Sequence, residues 1–183
     1  MYFQNINKQK EIKATTILIS LNLVFFCFTL GGHAMGETFG NNFSLTFGQH
    51  QYYRLLASLF YHFGILHIIC NMLSLYSIGS MVEEQYGKKT FLMIYFLTGI
   101  LGGGISACIH HMLHQNALSV GASGAICGLL GYYVGKTKKN FSESIKEILI
   151  SLFPMLIIGL GGGIDNTAHF VCAFLGICFS FLF

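Results

Sequence analysis

The most informative segment of this chain is Gly121-Ala122-Ser123-Gly124-Ala125-Ile126-Cys127-Gly128-Leu129-Leu130-Gly131-Tyr132-Tyr133-Val134-Gly135. Its glycines recur at steps of three, four, three and four residues, so they form one continuous line along a helix. Glycine weakens a helix, but it lets neighbouring backbones approach closely. We therefore expect a short helix that lies at the centre of a helical bundle.

The composition outside this stretch is that of a membrane protein. Of the 183 residues, 54% are hydrophobic and only 9% are charged, whereas soluble domains carry about 25% charged residues. A disordered chain would need the opposite balance. The net charge of +3 leaves no broad basic surface, and we expect no nucleic-acid partner.

Six apolar stretches are at or near the length of about 20 residues that spans a bilayer. They predict an all-α, polytopic membrane protein, a bundle of six transmembrane helices in which the short fourth helix is central. We expect one transmembrane domain over residues 1–183 and no separate soluble domain. The six predicted helices cover about 14–32, 62–82, 90–110, 117–135, 147–163 and 168–183.

The positions of the basic residues predict which side of the membrane each helix end faces. If the helices alternate in direction, nine lysines lie on one side and Arg54 alone lies on the other. An excess of positive charge marks the cytoplasmic side, so we expect a cytoplasmic N-terminus. The nine are Lys8, Lys10, Lys13, Lys88, Lys89, Lys136, Lys138, Lys139 and Lys146.

Polar side chains near the outer ends of the second, fourth and sixth helices are candidates for a catalytic site. Alternation brings these three ends to the same membrane face, with His67 and Asn71 on one helix and Ser123 and His169 on the others. Each residue taken alone has a structural explanation: an interhelical hydrogen bond, a serine bonded to its own helix, or an interfacial histidine. Small residues at 168, 173 and 176 favour packing of the sixth helix on the glycine-lined fourth, which would bring His169 near Ser123.

Such a pair permits nucleophilic catalysis. A serine becomes an effective nucleophile when a neighbouring base takes its proton, and a neutral imidazole is suited to this. We predict a Ser123–His169 dyad. Asp165 lies four residues before His169 and is expected to cap the sixth helix; orientation of the imidazole by its carboxylate is the alternative.

The dyad also requires hydrogen-bond donors for an oxyanion and access to water. Donors come from His67, Asn71 and the Ser123 backbone, and Gly121 belongs to the same predicted oxyanion set. Because the bilayer core is dry, these groups must line a wet cavity that is open to the outer face. The sequence Gly-Leu-Gly-Gly-Gly at 159–163 suits a flexible lid above it, or a plain turn.

At this point the chain resembles the rhomboid intramembrane serine proteases, most closely the compact bacterial GlpG type. Three motifs carry the resemblance: His62-x4-His67-x3-Asn71, Gly121-x-Ser123-Gly124 and Ala168-His169. Glu83, before Tyr86-Gly87, also matches a family position.

The resemblance implies a function and a place in the cell. Ser123 would be the nucleophile, His169 the general base, and His67, Asn71 and the Ser123 amide the oxyanion site. The substrates would be single-pass membrane proteins, cleaved near the outer face of a bacterial inner membrane, with lipid as the surrounding partner and without a metal or cofactor. Cys127 departs from the family, which often has a tyrosine here packing on the imidazole, so His169 would be held less firmly or by another contact.

Two other functions stay open from the sequence. His110, His111 and His114 have spacings that could hold a divalent ion, which would suit a histidine-lined metal transporter. A catalytically inactive rhomboid-like scaffold would keep the fold without the chemistry.

Overall fold

A computed structural model describes residues 13–29, 33–137 and 165–183. The predicted fifth helix, 147–163, and the glycine-rich stretch 159–163 lie outside the described residues. The described helices are α1 (Ala14–Thr29), α2 (His33–Phe39), α3 (Arg54–Ala57), α4 (Ile65–Tyr86), α5 (Lys88–Met112), α6 (Ser123–Lys136) and α7 (Asn166–Ser180).

The all-α class is confirmed for these residues. The π-helical turn Ser44–Gly48 lies between α2 and α3, and another π-helical turn, Leu75–Gly79, lies inside α4. Within the described ranges, extended pairing is limited to one antiparallel bridge between Asn41 and Ser119. Two helices, α4 and α5, are long and apolar enough to cross a membrane, and α1 and α7 are shorter apolar helices.

The glycine line of α6 allows backbone contact with α7. A Cβ atom at Gly131 would collide with the carbonyl oxygen of Ala173, and one at Gly176 would collide with that of Gly128. Gly128 also faces α5, where a Cβ would collide with the Thr98 hydroxyl. The predicted packing of the glycine-lined helix on the helix that carries His169 is confirmed.

The start of α6 differs from the prediction. We expected a helix from residue 117, which would have placed Ser123 inside its second turn, whereas α6 begins at Ser123 itself. The residues before it are apolar, but Ser119 exchanges backbone hydrogen bonds with Asn41 at 2.8 and 3.0 Å. Gly121 has φ +98°, which a right-handed helix cannot contain. Ser123 is therefore the first residue of its helix.

The long segment between α1 and α4 is held by a buried cation. Arg54 is only 4% exposed. Its Nη1 donates to the Gly40 carbonyl at 2.8 Å, and its Nε donates to Oε1 of Gln51 at 2.7 Å. These bonds tie α3 to the end of α2, so the segment has fixed internal contacts.

Glu83 connects the start of α1 to the C-terminal end of α4 through hydrogen bonds. Its carboxylate accepts hydrogen bonds from the Ala14 N–H at 2.7 Å, the Thr15 N–H at 2.8 Å and the Thr15 hydroxyl at 2.7 Å. The first N–H groups of a helix lack intrahelical acceptors, so Glu83 caps α1 across space. The neighbouring Glu84 instead pairs with Lys13 at the surface.

Replacing Glu83 with alanine is expected to lower the free energy of unfolding by about 1–3 kcal/mol, because two N–H groups of α1 lose their acceptor. The matched control is Glu84→Ala, which removes an exposed ion pair and should leave the free energy of unfolding close to that of the parent. Unfolding in mixed micelles measures both variants. Equal losses would contradict the capping role of Glu83.

Candidate active site

Ser123 and His169 meet across the α6–α7 contact. Nε2 of His169 lies 2.7 Å from Oγ of Ser123, although the residues are 46 apart in sequence. The structure thus brings together the two residues that the sequence analysis paired. With the serine hydroxyl donating, Nε2 is the unprotonated nitrogen of a neutral imidazole, as a general base requires.

Both residues lie at helix N-termini. Ser123 is the first residue of α6, and His169 lies in the first turn of α7, where its N–H donates to the Asp165 carbonyl at 3.2 Å. The first N–H groups of a helix have no intrahelical acceptor, and the macrodipole adds partial positive charge there. The Ser123 N–H is therefore suited to stabilise an oxyanion formed at its own side chain.

His67 is oriented over Gly121. Nδ1 of His67 faces the Phe63 N–H at 3.4 Å and accepts from it, which leaves the ring proton on Nε2. A Cβ at Gly121 would lie only 2.8 Å from that Nε2. The absence of a side chain at Gly121 thus lets a neutral imidazole N–H approach the turn that leads into Ser123.

Asn71 and Gly121, two members of the predicted oxyanion set, each have a defined contact in the structure. The Gly121 N–H donates to the Ser58 carbonyl at 2.8 Å, so this N–H already has an acceptor. Asn71 is buried, and its Nδ2 donates to the His67 carbonyl at 2.9 Å. This bond uses one of the two amide hydrogens and supports the backbone that carries His67.

The side chains of the site differ from their neighbours in exposure. Ser123, His67 and His169 are all partly exposed, whereas Ala122 and Asn71 next to them are buried. The polar side chains of the site are therefore half-buried, and the residues packed beside them are buried.

His62 is a site residue to which the sequence analysis gave no role. It is completely buried, its Nδ1 donates to the Phe60 carbonyl at 3.1 Å, and its Nε2 accepts the Ala122 N–H at 3.4 Å. These two bonds require the neutral ring. His62 thus holds the residue just before Ser123, and its place in His62-x4-His67 was the available signal.

Asp165 caps α7, as predicted: its carboxylate accepts the Ala168 N–H at 2.9 Å. The alternative, in which the Asp165 carboxylate bonds and orients the His169 ring, is not seen among the described residues. The carboxylate oxygens bond Ala168 and side chains of other elements, and among the described residues no bond joins them to the His169 imidazole.

Two of the three histidines considered for a metal have separate partners. His111 stacks on Phe43 with ring centroids 3.9 Å apart, while Nε2 of His110 lies 2.9 Å from Asp165. Across residues 13–29, 33–137 and 165–183, no group of three or more metal-ligating side chains is close enough to hold an ion.

Comparison with known proteins identifies the class. The rhomboid domain family matches residues 49–183. Together with a helical fold and the Ser123–His169 pair, this match shows that the chain belongs to the rhomboid family.

Three relatives illustrate the similarity. The chain is 35% identical over 165 residues to rhomboid protease GluP of Bacillus subtilis, covering 85% of this chain and 32% of the relative. It is 37% identical over 140 residues to RHOMBOID-like protein 2 of Arabidopsis thaliana, covering 73% and 43%. It is 29% identical over 179 residues to rhomboid-like protease 3 of Toxoplasma gondii, covering 91% and 66%. The chain thus spans about a third to two thirds of these relatives.

Gly121→Ala is expected to destabilise the protein in two ways. Alanine at φ +98° is strained by about 1–3 kcal/mol, and its Cβ would press on the His67 ring. The control is Gly87→Ala, which shares a positive φ of +86° but has nothing within 4 Å of a Cβ. Unfolding measurements should show the larger loss for Gly121→Ala, and equal losses would mean that His67 does not pack on this turn.

Proposed function

We propose that this protein is an intramembrane serine endopeptidase that works through a Ser123–His169 dyad. One observation supports the assignment most strongly: the 2.7 Å contact between Oγ of Ser123 and Nε2 of His169. Membership of the rhomboid family and the similarity to relatives named as proteases support the same reaction class.

The proposed reaction begins with proton transfer. Nε2 of His169 takes the proton of Ser123 as Oγ attacks the scissile carbonyl, which gives a tetrahedral oxyanion and an imidazolium. The oxyanion accepts from the Ser123 N–H and from Nε2–H of His67, with Asn71 supporting His67 from below. The imidazolium then returns its proton to the leaving amine as the C–N bond breaks.

Water completes the cycle. His169 deprotonates a water molecule that attacks the acyl-enzyme, and the proton passes to Oγ as Ser123 departs. This step needs solvent at the dyad, and the partial exposure of Ser123 and His169 supports access for water. No step requires a metal or cofactor.

The proposed substrates are single-pass membrane proteins, cleaved near the outer face of a bacterial inner membrane. The contacts of the described helices support this orientation. Lys13 pairs with Glu84 near one end of the bundle, and Lys136 lies over Tyr132, which contacts Tyr86. Ser123 lies at the opposite end of α6, and His67 lies at the opposite end of α4. A cytoplasmic lysine-rich end therefore leaves the site facing outward.

The proposed architecture is a single domain of six transmembrane helices over residues 1–183, with the fourth helix central. The described part supports it through α6, which packs against both α5 and α7. The predicted fifth helix, 147–163, is part of this proposal and lies outside the described residues.

A fluorophosphonate probe tests the dyad directly. Parent protein in detergent should label, whereas Ser123→Ala should lose labelling entirely because the nucleophile is gone. His169→Ala should slow labelling and substrate cleavage by about 10²–10⁴-fold because the base is gone. Cleavage of a panel of single-pass model substrates in liposomes provides the second readout.

The matched controls are Ser20→Ala on α1 and His50→Ala in an exposed loop, and both should behave as the parent. Equal labelling of the parent and Ser123→Ala would overturn the nucleophile assignment. A folded parent that neither labels nor cleaves any model substrate would favour the inactive scaffold.

A further inference from the structure

The carboxylate of Asp165 gathers side chains from three parts of the fold. It accepts from Ser106 on α5 at 2.9 and 3.1 Å to its two oxygens, from Nε2 of His110 on α5 at 2.9 Å, and from the hydroxyl of Ser119 in the loop before α6. It also caps α7 through the Ala168 N–H. One side chain thus joins α5, α7 and the loop that leads to the nucleophile.

The Asp165 cluster and the dyad are separated by the same number of residues on both segments that carry them. Ser119 precedes Ser123 by four residues, and Asp165 precedes His169 by four residues. The Ser119–Asp165 bond therefore links the same two segments as the Ser123–His169 bond, just before each segment enters its helix. Two links between the segments fix their relative position better than one.

Both sides of the second link are anchored. Ser119 pairs through its backbone with Asn41, and Ser106 is completely buried within α5. The side chains of His110 and Asp165 are only 12% and 9% exposed. Burial raises the pKa of Asp165, but the hydrogen bonds from Ser119, His110, Ala168 and Ser106 lower it by more, so its pKa lies below the ordinary range. The charged carboxylate is thus the stable acceptor for all these donors.

We propose that Asp165, with Ser106, His110 and Ser119, forms a positioning clamp that holds the His169 imidazole at hydrogen-bonding distance from Ser123. This inference rests on the proposed function. The clamp touches neither substrate nor the reacting atoms; it acts by keeping the first turn of α7 in register with the start of α6. Small misplacements of a catalytic base reduce the rate of the chemical step far more than substrate binding.

The test separates the clamp from simple helix capping. Serine is also a strong N-cap residue, but at position 165 it is too short to reach the α5 and loop partners. If Asp165 only caps α7, Asp165→Ser should keep the parental activity. If it forms the clamp, Asp165→Ser and Asp165→Ala should both lose about 10- to 100-fold in kcat, with KM within about twofold of the parent.

Ser119 provides a milder probe that leaves the cap of α7 intact. Ser119→Ala should lower kcat about threefold to tenfold, and Ser119→Thr, which keeps the hydroxyl, should restore it to within about twofold. The control is Ser180→Ala at the other end of α7, where the hydroxyl bonds the Ile177 carbonyl at 2.6 Å; its kcat should equal that of the parent. If the Asp165 variants fail to fold, the kcat values of Ser119→Ala and Ser119→Thr test the clamp on their own.

The measurements are kcat and KM for a cleaved single-pass substrate in liposomes, with thermal unfolding of each variant. Parental kcat in folded Asp165→Ser and Ser119→Ala would overturn the clamp and leave the proposed protease intact. A raised KM with unchanged kcat would also overturn it. A parent that is inactive in cleavage and probe labelling would remove the proposed function, and the clamp with it.

Discussion

The structure depends on backbone contact between α6 and α7. Glycine at 128, 131 and 176 removes the side chains that would separate the helices, so that carbonyl oxygens of one helix lie against the Cα atoms of the other. At this separation Ser123 and His169, which are 46 residues apart, share a hydrogen bond of 2.7 Å. The glycines that allow this close contact lower the intrinsic stability of the helix. The packing of α6 against both α5 and α7 offsets that loss.

Most polar groups around Ser123 are hydrogen-bonded within a largely apolar protein. A buried polar group without a partner is costly, and three neighbours of Ser123 have defined bonds: His62 with Ala122, His67 with Phe63, and the amide nitrogen of Asn71 with the His67 carbonyl. Among the described residues, Oδ1 of Asn71 has no hydrogen-bond partner. These bonds also fix tautomers, leaving Nδ1–H on His62 and Nε2–H on His67. The same hydrogen bonds thus pair buried polar groups and orient the N–H groups of the site.

Much of this could be predicted from residue spacing. The all-α class, the α6–α7 contact, the Ser123–His169 pair and the cap at Asp165 all follow from helical periodicity and from small residues on facing helices. The start of α6 could not be predicted, because Leu118, Ser119 and Val120 suit an apolar helix by composition, whereas Ser119 in fact pairs with Asn41. The Asp165 partners Ser106 and Ser119 were missed for a related reason: serines in apolar segments carry no pattern that identifies which carboxylate they will meet.

A crystal structure of the protein with a phosphonate bound covalently would test the dyad and the oxyanion site together. We expect phosphorus on Oγ of Ser123, with the phosphoryl oxygen about 2.7–3.1 Å from both the Ser123 N and Nε2 of His67. The His169 imidazole should remain beside the adduct. An adduct on another residue, or a phosphoryl oxygen that faces solvent with His169 packed away from Ser123, would contradict it.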